Sequence, residues 1–312
     1  MDPENGNVTE FLLVGFKNLH SFRTFVFIFL LLIYIFTLSG NLLIIFLVAT
    51  NARLRSPMYF FLSNLSISEV AFTTNIVPNM LDNLLSQNFS ISLPRCLTQY
   101  YFFSSTATTE CLLLAIMSYD RYLAICRPLH YFSLINFQLC CQTAMCSWLA
   151  GLTISMVTLI LLCKSNFCGP NIIDNFFCDL SPLIELSCSD KLVIEMESFV
   201  FASLLTLLPF VFIITTYIMI LYNILKIPSA TGRKKAFSTC SSHLVVVSTY
   251  YGTLITMYVA PSRKQIFSIS KALSLLYIVV TPLLNPIVYS LRNKEIHFAL
   301  NSITKYFTTA NF

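Results

Sequence analysis

Seven runs of mostly apolar residues, each long enough to cross a bilayer, leave this chain few ways to fold. They lie near Phe25–Ala49, Met58–Leu81, Leu97–Ile125, Leu139–Leu162, Phe199–Leu225, Ala236–Val259 and Ile269–Leu291. A helix rising about 1.5 Å per residue needs about 20 such residues to span the hydrocarbon layer. Barrel strands would instead alternate over about ten residues. The chain is 56% hydrophobic and 11% charged, where a soluble domain carries about 25% charge. A soluble globule could not hide that apolar surface, and a disordered chain would not contain it. The sequence therefore predicts an all-α membrane protein, a seven-transmembrane helix bundle over residues 25–291. Residues 1–24 form an extracellular N-terminal tail. Residues 292–312 form a short cytoplasmic amphipathic helix and tail, with Ile296, Ala299, Leu300, Ile303 and Phe307 at helical spacing for the inner leaflet. No Cys follows Cys240, which excludes a palmitoyl anchor there.

Basic residues set the orientation. The ends near 51–56, 121–137, 226–235 and 292–312 hold eleven Lys and Arg against Asp120 and Glu295, whereas the other side holds eight basic and ten acidic residues. The basic side is cytoplasmic and the N-terminus lies outside. The formal charge of +5 is thus a topology signal and gives no reason to expect nucleic acid as a partner. Met1–Glu10 has no basic start or small-residue cleavage site, so the first span is expected to act as an uncleaved signal anchor. Asn7-Val8-Thr9 is a glycosylation sequon on the outer tail, and Asn88-Phe89-Ser90 is a second one, nearer the bilayer. Of 11 cysteines, Cys96, Cys168, Cys178 and Cys188 fall outside. Two disulfides are expected, and four cysteines allow three pairings.

Glu69 and Glu110 are the costly residues, because a carboxylate inside a span must be paired, hydrated or protonated. Glu69 lies 12 residues past Pro57 and Glu110 lies 11 before Arg121, depths of roughly 18 and 16 Å at 1.5 Å per residue. Asn41 and Asn285 fall at comparable depth. Two acids and two amides suggest a cation site, most simply Na⁺, a proton shared between the carboxylates, or a hydrated structural network. Phe103, Ser104, Ala107 and Thr108 form one stripe on the third span, which by itself reads as helix packing. No nucleophile–base pair, phosphate loop or metal-ligand spacing appears, so an enzyme is not expected. An ion-coupled transporter is the rival class, but the chain shows no repeated halves and no paired broken helices.

Four motifs carry a family resemblance. The third span ends Met117-Ser118-Tyr119-Asp120-Arg121-Tyr122-Leu123-Ala124-Ile125-Cys126-Arg127-Pro128-Leu129-His130-Tyr131. The second opens Pro57-Met58-Tyr59-Phe60-Phe61-Leu62-Ser63-Asn64-Leu65-Ser66. The sixth opens Lys235-Ala236-Phe237-Ser238-Thr239-Cys240-Ser241-Ser242-His243, and the seventh closes Pro282-Leu283-Leu284-Asn285-Pro286-Ile287-Val288-Tyr289-Ser290-Leu291-Arg292-Asn293-Lys294-Glu295. The whole chain resembles vertebrate olfactory receptors, a branch of the rhodopsin-like G-protein-coupled receptors. Its second outer loop, with Cys168-Gly169-Pro170-Asn171 and Phe177-Cys178-Asp179, is similar to the class II group.

The resemblance implies pairing of Cys96 with Cys178 and of Cys168 with Cys188. It implies that Arg121, beside Asp120 and Tyr122, is held at rest and released to meet the G protein, with Tyr217, Asn285, Pro286 and Tyr289 rearranging. The sixth span is expected to begin just after Arg233-Lys234-Lys235 and to swing outward. His243 would sense protonation at the inner mouth or serve polar packing. Sodium would sit among Glu69, Glu110, Asn41 and Asn285, although the family usually has Asp where Glu69 stands. The ligand pocket would draw Phe103, Ser104, Ala107 and Thr108 from the third span and Phe201, Ala202 and Leu205 from the fifth. Tyr251, Leu254 and Tyr258 would come from the sixth, Leu275 and Ile278 from the seventh. Tyr251, at a place where many relatives carry Trp, would couple pocket to helix. This lining contains no acid or base, and Phe103 stands where an amine receptor needs a carboxylate. The expected ligand is a small, neutral, largely apolar volatile molecule, with Ser104, Thr108 or Tyr258 as its hydrogen-bond partner. Asn175 stands where a family His would precede Phe-Phe-Cys-Asp, so no metal beyond sodium is expected. The implied output is cyclic AMP through a stimulatory G protein, at the plasma membrane of olfactory cilia, with a trafficking chaperone as helper. A receptor for a metabolite outside the nose is the narrower alternative.

Overall fold

The computed structural model describes residues 8–17, 19–168, 170–189, 191–259, 267–291 and 295–301. Seven long helices stand where the apolar runs predict them: α1 (Arg23–Thr50), α2 (Pro57–Ser86), α3 (Leu93–Cys126), α5 (Phe137–Lys164), α7 (Leu192–Leu225), α8 (Ala230–Leu254) and α9 (Phe267–Leu291). A π-helical turn, Ile255–Val259, extends α8. Two short helices lie in loops, α4 (Tyr131–Leu134) and α6 (Leu180–Leu186), and residues 295–301 form a last helix, α10.

Local chemistry fixes where these helices start. Pro57 and Pro94 sit in the first turns of α2 and α3, where a missing N–H costs nothing. The Asn136 side chain accepts from Leu139 N at 2.7 Å and Ser229 Oγ from Gly232 N at 3.3 Å, capping α5 and α8. Within the spans, hydroxyls return to carbonyls one turn back, as Thr106 Oγ1 does to Phe102 O at 2.8 Å. Polar residues thus enter the bilayer without stranding their donors.

The bundle turns its polar side inward. Ser66, Ser68, Thr73, Thr106, Thr109 and Ser118 are buried, while Phe25, Phe36, Leu208 and Val211 face outward. Among the described residues, α1, α5 and α7 are apolar enough to span unaided. The polar positions of α2, α3 and α8 are carried on faces covered by neighbours. α3 is the central post, packed on α2, α5, α7 and α8, and α1 rests on α2 and α9. A Cβ at Gly151 of α5 would lie 2.4 Å from Ser105 O and 2.5 Å from Thr109 Oγ1. The lack of a side chain there lets α5 close on α3.

Several expectations need correction. α7 begins seven residues before Phe199, carrying Glu195 and Glu197 into the helix. α8 begins six residues before Ala236, so Arg233, Lys234 and Lys235 form part of its first turns and do not precede it. The N-terminal tail is structured in part. Glu10–Leu13 forms β1, the centre of a sheet ordered β2 (Ser90–Ser92), β1, β3 (Ile172–Ile173), antiparallel to β2 and parallel to β3. Phe11 is fully buried there and meets the Phe167 ring edge-on at 5.4 Å. Disulfide Cys96–Cys178 ties the second outer loop, which contributes β3, to α3, and Cys168–Cys188 closes that loop on itself. On the inner face Ile296 and Ala299 of α10 are buried, and the Arg53 guanidinium lies 4.1 Å over the Phe298 ring. Asn7, Ile303 and Phe307 lie outside the described residues.

Candidate functional site: an outer cavity and a polar path to the inner face

The stripe on α3 faces a cavity. Phe103, Ser104, Ala107 and Thr108, extended by Tyr100 above and Cys111 below, form one wall of a space of about 120 Å³ between α3, α5, α7 and α8. Phe201, Ala202 and Leu205 of α7 and Leu254 of α8 face it, so eight of the residues named from sequence meet in one place. Three others do not line it. Tyr251 and Ile278 are fully buried in the helix packing, and Leu275 is packed against the core beside them. The Tyr258 side chain lies outside the described residues.

An acid-free lining does not survive. Asp179, only 5% exposed, forms part of the cavity wall together with Thr158 of α5. The Thr158 hydroxyl donates to Glu197 Oε1 at 2.8 Å, and Glu197 Oε2 is buried with no partner among the described residues. Ser155 donates to Ser104 Oγ at 2.9 Å. These acids were missed because Asp179 sits in a loop and Glu197 falls before the apolar run of the fifth span. One signal was available. A Cys96–Cys178 bond holds residue 179 beside the first turns of α3, one turn above Tyr100. A larger cavity, about 540 Å³, lies between α3, α5 and Phe212 of α7. It contains Asp120 and none of the ligand residues named from sequence.

Below the first cavity, two tyrosines of α8 fasten to the backbone of its α3 wall. Tyr250 OH donates to Ala107 O at 2.6 Å and Tyr251 OH to Cys111 O at 2.8 Å. Tyr251 therefore touches the cavity through Cys111 without lining it, which revises its expected place.

The acids and amides at mid-depth do come together. Glu69 and Glu110 are buried, and Asn285 Nδ2 donates to Glu69 Oε1. Asn41 Nδ2 donates to Thr37 O at 3.0 Å and Pro282 O at 3.3 Å, tying α1 to α9. Glu69 Oε2, Glu110 Oε1, Asn41 Oδ1 and Asn285 Oδ1 are buried without partners among the described residues. A Cβ at Gly40 would lie 2.8 Å from the Pro286 ring, so α1 passes close against α9 at this level.

At the inner end Arg121 Nη2 pairs with Asp120 Oδ2 at 3.1 Å, and Tyr131 of α4 donates to Asp120 Oδ1 at 2.7 Å. Tyr131 lies in the inner loop, where burial and then the Asp120 carboxylate push its hydroxyl well above the ordinary range. It stays a donor at physiological pH. His243 is buried, with Nδ1 2.7 Å from Tyr217 OH, and its ring lies 5.7 Å from Tyr217 and 6.5 Å from Tyr289. That bond joins α7 to α8, with His243 buried between them. Tyr122 follows Arg121 and stacks on Tyr119 at 6.2 Å.

The arrangement is a cavity, a buried polar cluster and an arginine latch, connected by helices. Comparison with known proteins agrees. The family model for the olfactory receptor matches residues 30–308. The chain is 46% identical to human Olfactory receptor 11L1 over 306 residues, 98% of this chain and 95% of that one. It is 46% identical to human Olfactory receptor 6N1 over 301 residues, 96% of each, and 44% identical to human Olfactory receptor 11A1 over 299 residues, 96% and 95%. Likeness of this extent, over a helical bundle with these motifs, makes the chain a member of the olfactory receptor family, multi-pass membrane G-protein-coupled receptors that are not enzymes.

Proposed function

We propose that the chain binds a small, largely apolar volatile molecule in the outer cavity and activates a stimulatory G protein to raise cyclic AMP. The observation that carries this reading is the pair of bonds from Tyr250 and Tyr251 to Ala107 O and Cys111 O. Ala107 and Cys111 line the cavity, so an occupant pressing on them also loads α8. The same helix holds His243 against Tyr217 at its inner half. A displaced α8 would break that bond and open the inner face around Arg121, which is the bistable element a ligand biases. Strict neutrality of the ligand is not carried forward, because it rested on an acid-free lining.

Residues Asp120, Arg121, Tyr122, Tyr217, His243, Asn285, Pro286 and Tyr289 make up the proposed activation path. The unpartnered oxygens of Glu69, Glu110, Asn41 and Asn285 are the donor type a hard cation takes. Sodium bound there would compensate the two acids and favour the resting arrangement. The remaining assignments are class II membership, an outside N-terminus glycosylated at Asn7, residence in the ciliary plasma membrane and dependence on a trafficking chaperone. Class II membership is supported by the outer-loop motif, the orientation by the charge asymmetry and glycosylation by the Asn7-Val8-Thr9 sequon, while ciliary residence and the chaperone follow from the family resemblance.

The test is cyclic AMP in cells expressing the chain with an olfactory chaperone, across a panel of volatiles, with surface staining alongside. A dose-dependent rise, lost in Arg121→Ala at equal staining, is expected. Silence across the panel at full staining would overturn the odorant reading.

A further inference from the structure

We propose that the larger cavity, in the inner half of the bundle beside the arginine latch, binds one membrane sterol with its hydroxyl directed at Asp120.

The space follows from residue size and spacing. Leu112, Ala115, Ile116 and Tyr119 recur at steps of three and four on one face of α3, and Thr143, Ser147 and Ala150 do so on α5. Small side chains at Ala115, Ser147 and Ala150 help leave about 540 Å³ between these faces. Small-molecule sites typically measure about 300–1,000 Å³. Asp120 lies six residues from the inner end of α3 and Leu112 fourteen, roughly 9 and 21 Å in at 1.5 Å per residue. The cavity therefore runs from near the inner headgroups toward the bilayer centre. Tyr119 and Phe212 line it, their rings meet at 6.2 Å, and they are 41% and 43% exposed. At that depth the outside of the bundle is hydrocarbon, so the occupant comes from the bilayer.

Polarity decides which bilayer molecule fits. A water in such a space needs about two to four polar partners. The Thr143 and Ser147 hydroxyls return to Leu139 O and Thr143 O, each at 2.9 Å, so the walls hold water poorly. Among the described lining residues Asp120 is the one acid, and none is basic. Its oxygens take Tyr131 OH and Arg121 Nη2, and a carboxylate has about four lone-pair positions, which leaves room for a further donor. A fatty-acid or phosphate head would meet like charge there, and the end of an acyl chain offers no donor. A sterol hydroxyl does donate. With that hydroxyl at the inner end and the ring body toward Leu112 and Ala150, the molecule stands as it does in the inner leaflet. A rigid ring system also loses less conformational freedom on confinement than a flexible chain. The plasma membrane, the proposed residence of this chain, is rich in sterol. The cavity exists here with Arg121 paired to Asp120 and His243 to Tyr217. A sterol fitted to it therefore favours the resting arrangement.

The test uses the purified receptor in phosphatidylcholine nanodiscs with a diazirine-bearing cholesterol at a constant fraction of the lipid. Plain cholesterol, or its keto analogue cholestenone, which accepts but cannot donate, then replaces part of the phosphatidylcholine. Labelled residues are read by mass spectrometry. Cholesterol should reduce labelling of residues 112–119 and 139–150 at least about fivefold, as a competitor does at several times its dissociation constant. Labelling along the exposed face of α1, at Phe25, Phe29 and Phe36, should not change. Cholestenone should compete at least about fivefold more weakly, for want of one hydrogen bond. Ala150→Phe fills the cavity and should lose the competed labelling while α1 keeps its own. Ala150→Leu fills it less and replaces that variant if the ring prevents folding. Cholesterol should also raise the melting temperature of the wild type and not of the filled variant. Labelling that cholesterol does not reduce, that falls equally on α1, or that survives in the filled variant would overturn the site. Equal competition by cholestenone would overturn the role of Asp120.

Discussion

At the scale of single residues, the bonds that hold the inner face closed make sharp predictions. Tyr251 OH on Cys111 O holds α8 against α3. A net hydrogen bond is worth about 1 kcal/mol, close to a fivefold change in an equilibrium. Tyr251→Phe should therefore raise basal cyclic AMP up to about fivefold at unchanged surface level. Unchanged basal output and unchanged agonist potency together would show that this contact is packing alone. Tyr131→Phe removes the donor that holds Asp120 from the inner loop. Basal cyclic AMP should rise in the same direction, because among the described residues Asp120 then keeps its bond to Arg121 alone. A fall at constant staining would mean that Tyr131 supports the active form instead. Legibility at this scale was uneven. Motif residues such as Arg121, Asn285 and Tyr289 could be named because their neighbours in sequence identify them. Asp179 and Glu197 could not, because their importance depends on which loop a disulfide pulls inward and which hydroxyl, Thr158, meets them.

Among elements, helix existence was plain and helix ends were not. Long apolar runs have no soluble alternative, so seven spans follow from length and polarity alone. Ends depend on groups that hydropathy reads as breaks. Glu197 interrupts the run at the start of α7, yet Thr158 satisfies one of its oxygens and the helix continues past it. Arg233, Lys234 and Lys235 read as loop but lie on α8, capped at Ser229. The strands are 4, 3 and 2 residues long, too short to carry a period-two pattern. Two glycines separate packing from propensity. Gly151→Ala would place a methyl against a backbone carbonyl that cannot move without α3. Overpacking of this kind costs about 1–3 kcal/mol, and the purified receptor should melt lower with less at the surface. Gly252 of α8 has nothing within 4 Å of its added Cβ. Gly252→Ala should leave surface level intact and raise the melting temperature slightly, since alanine is favoured by about 1 kcal/mol in a helix. Equal behaviour of the two variants would contradict the close approach of α5 to α3.

For the molecule as a whole, the buried polar cluster joins elements that the apolar packing alone would leave free to slide. Asn41 ties α1 to α9, Asn285 ties α9 to Glu69 of α2, and Glu110 of α3 lies within charge reach of Glu69. Two carboxyls in one low-dielectric space are stable together only if something compensates them, either a cation or protons. The alternatives respond differently to salt. A cation that binds only the folded, resting bundle stabilises it in proportion to the logarithm of its concentration above the dissociation constant. The melting temperature of the purified receptor should therefore rise from choline chloride to sodium chloride at equal ionic strength, and basal cyclic AMP coupling should fall. Glu69→Gln keeps an oxygen for Asn285 Nδ2 but removes one charge, and should flatten both responses. A melting temperature that ignores the choice of cation in the wild type would leave protons and water as the compensating partners. The cluster would then serve to fix the register of α1, α2, α3 and α9, and Glu69→Gln would act on stability alone.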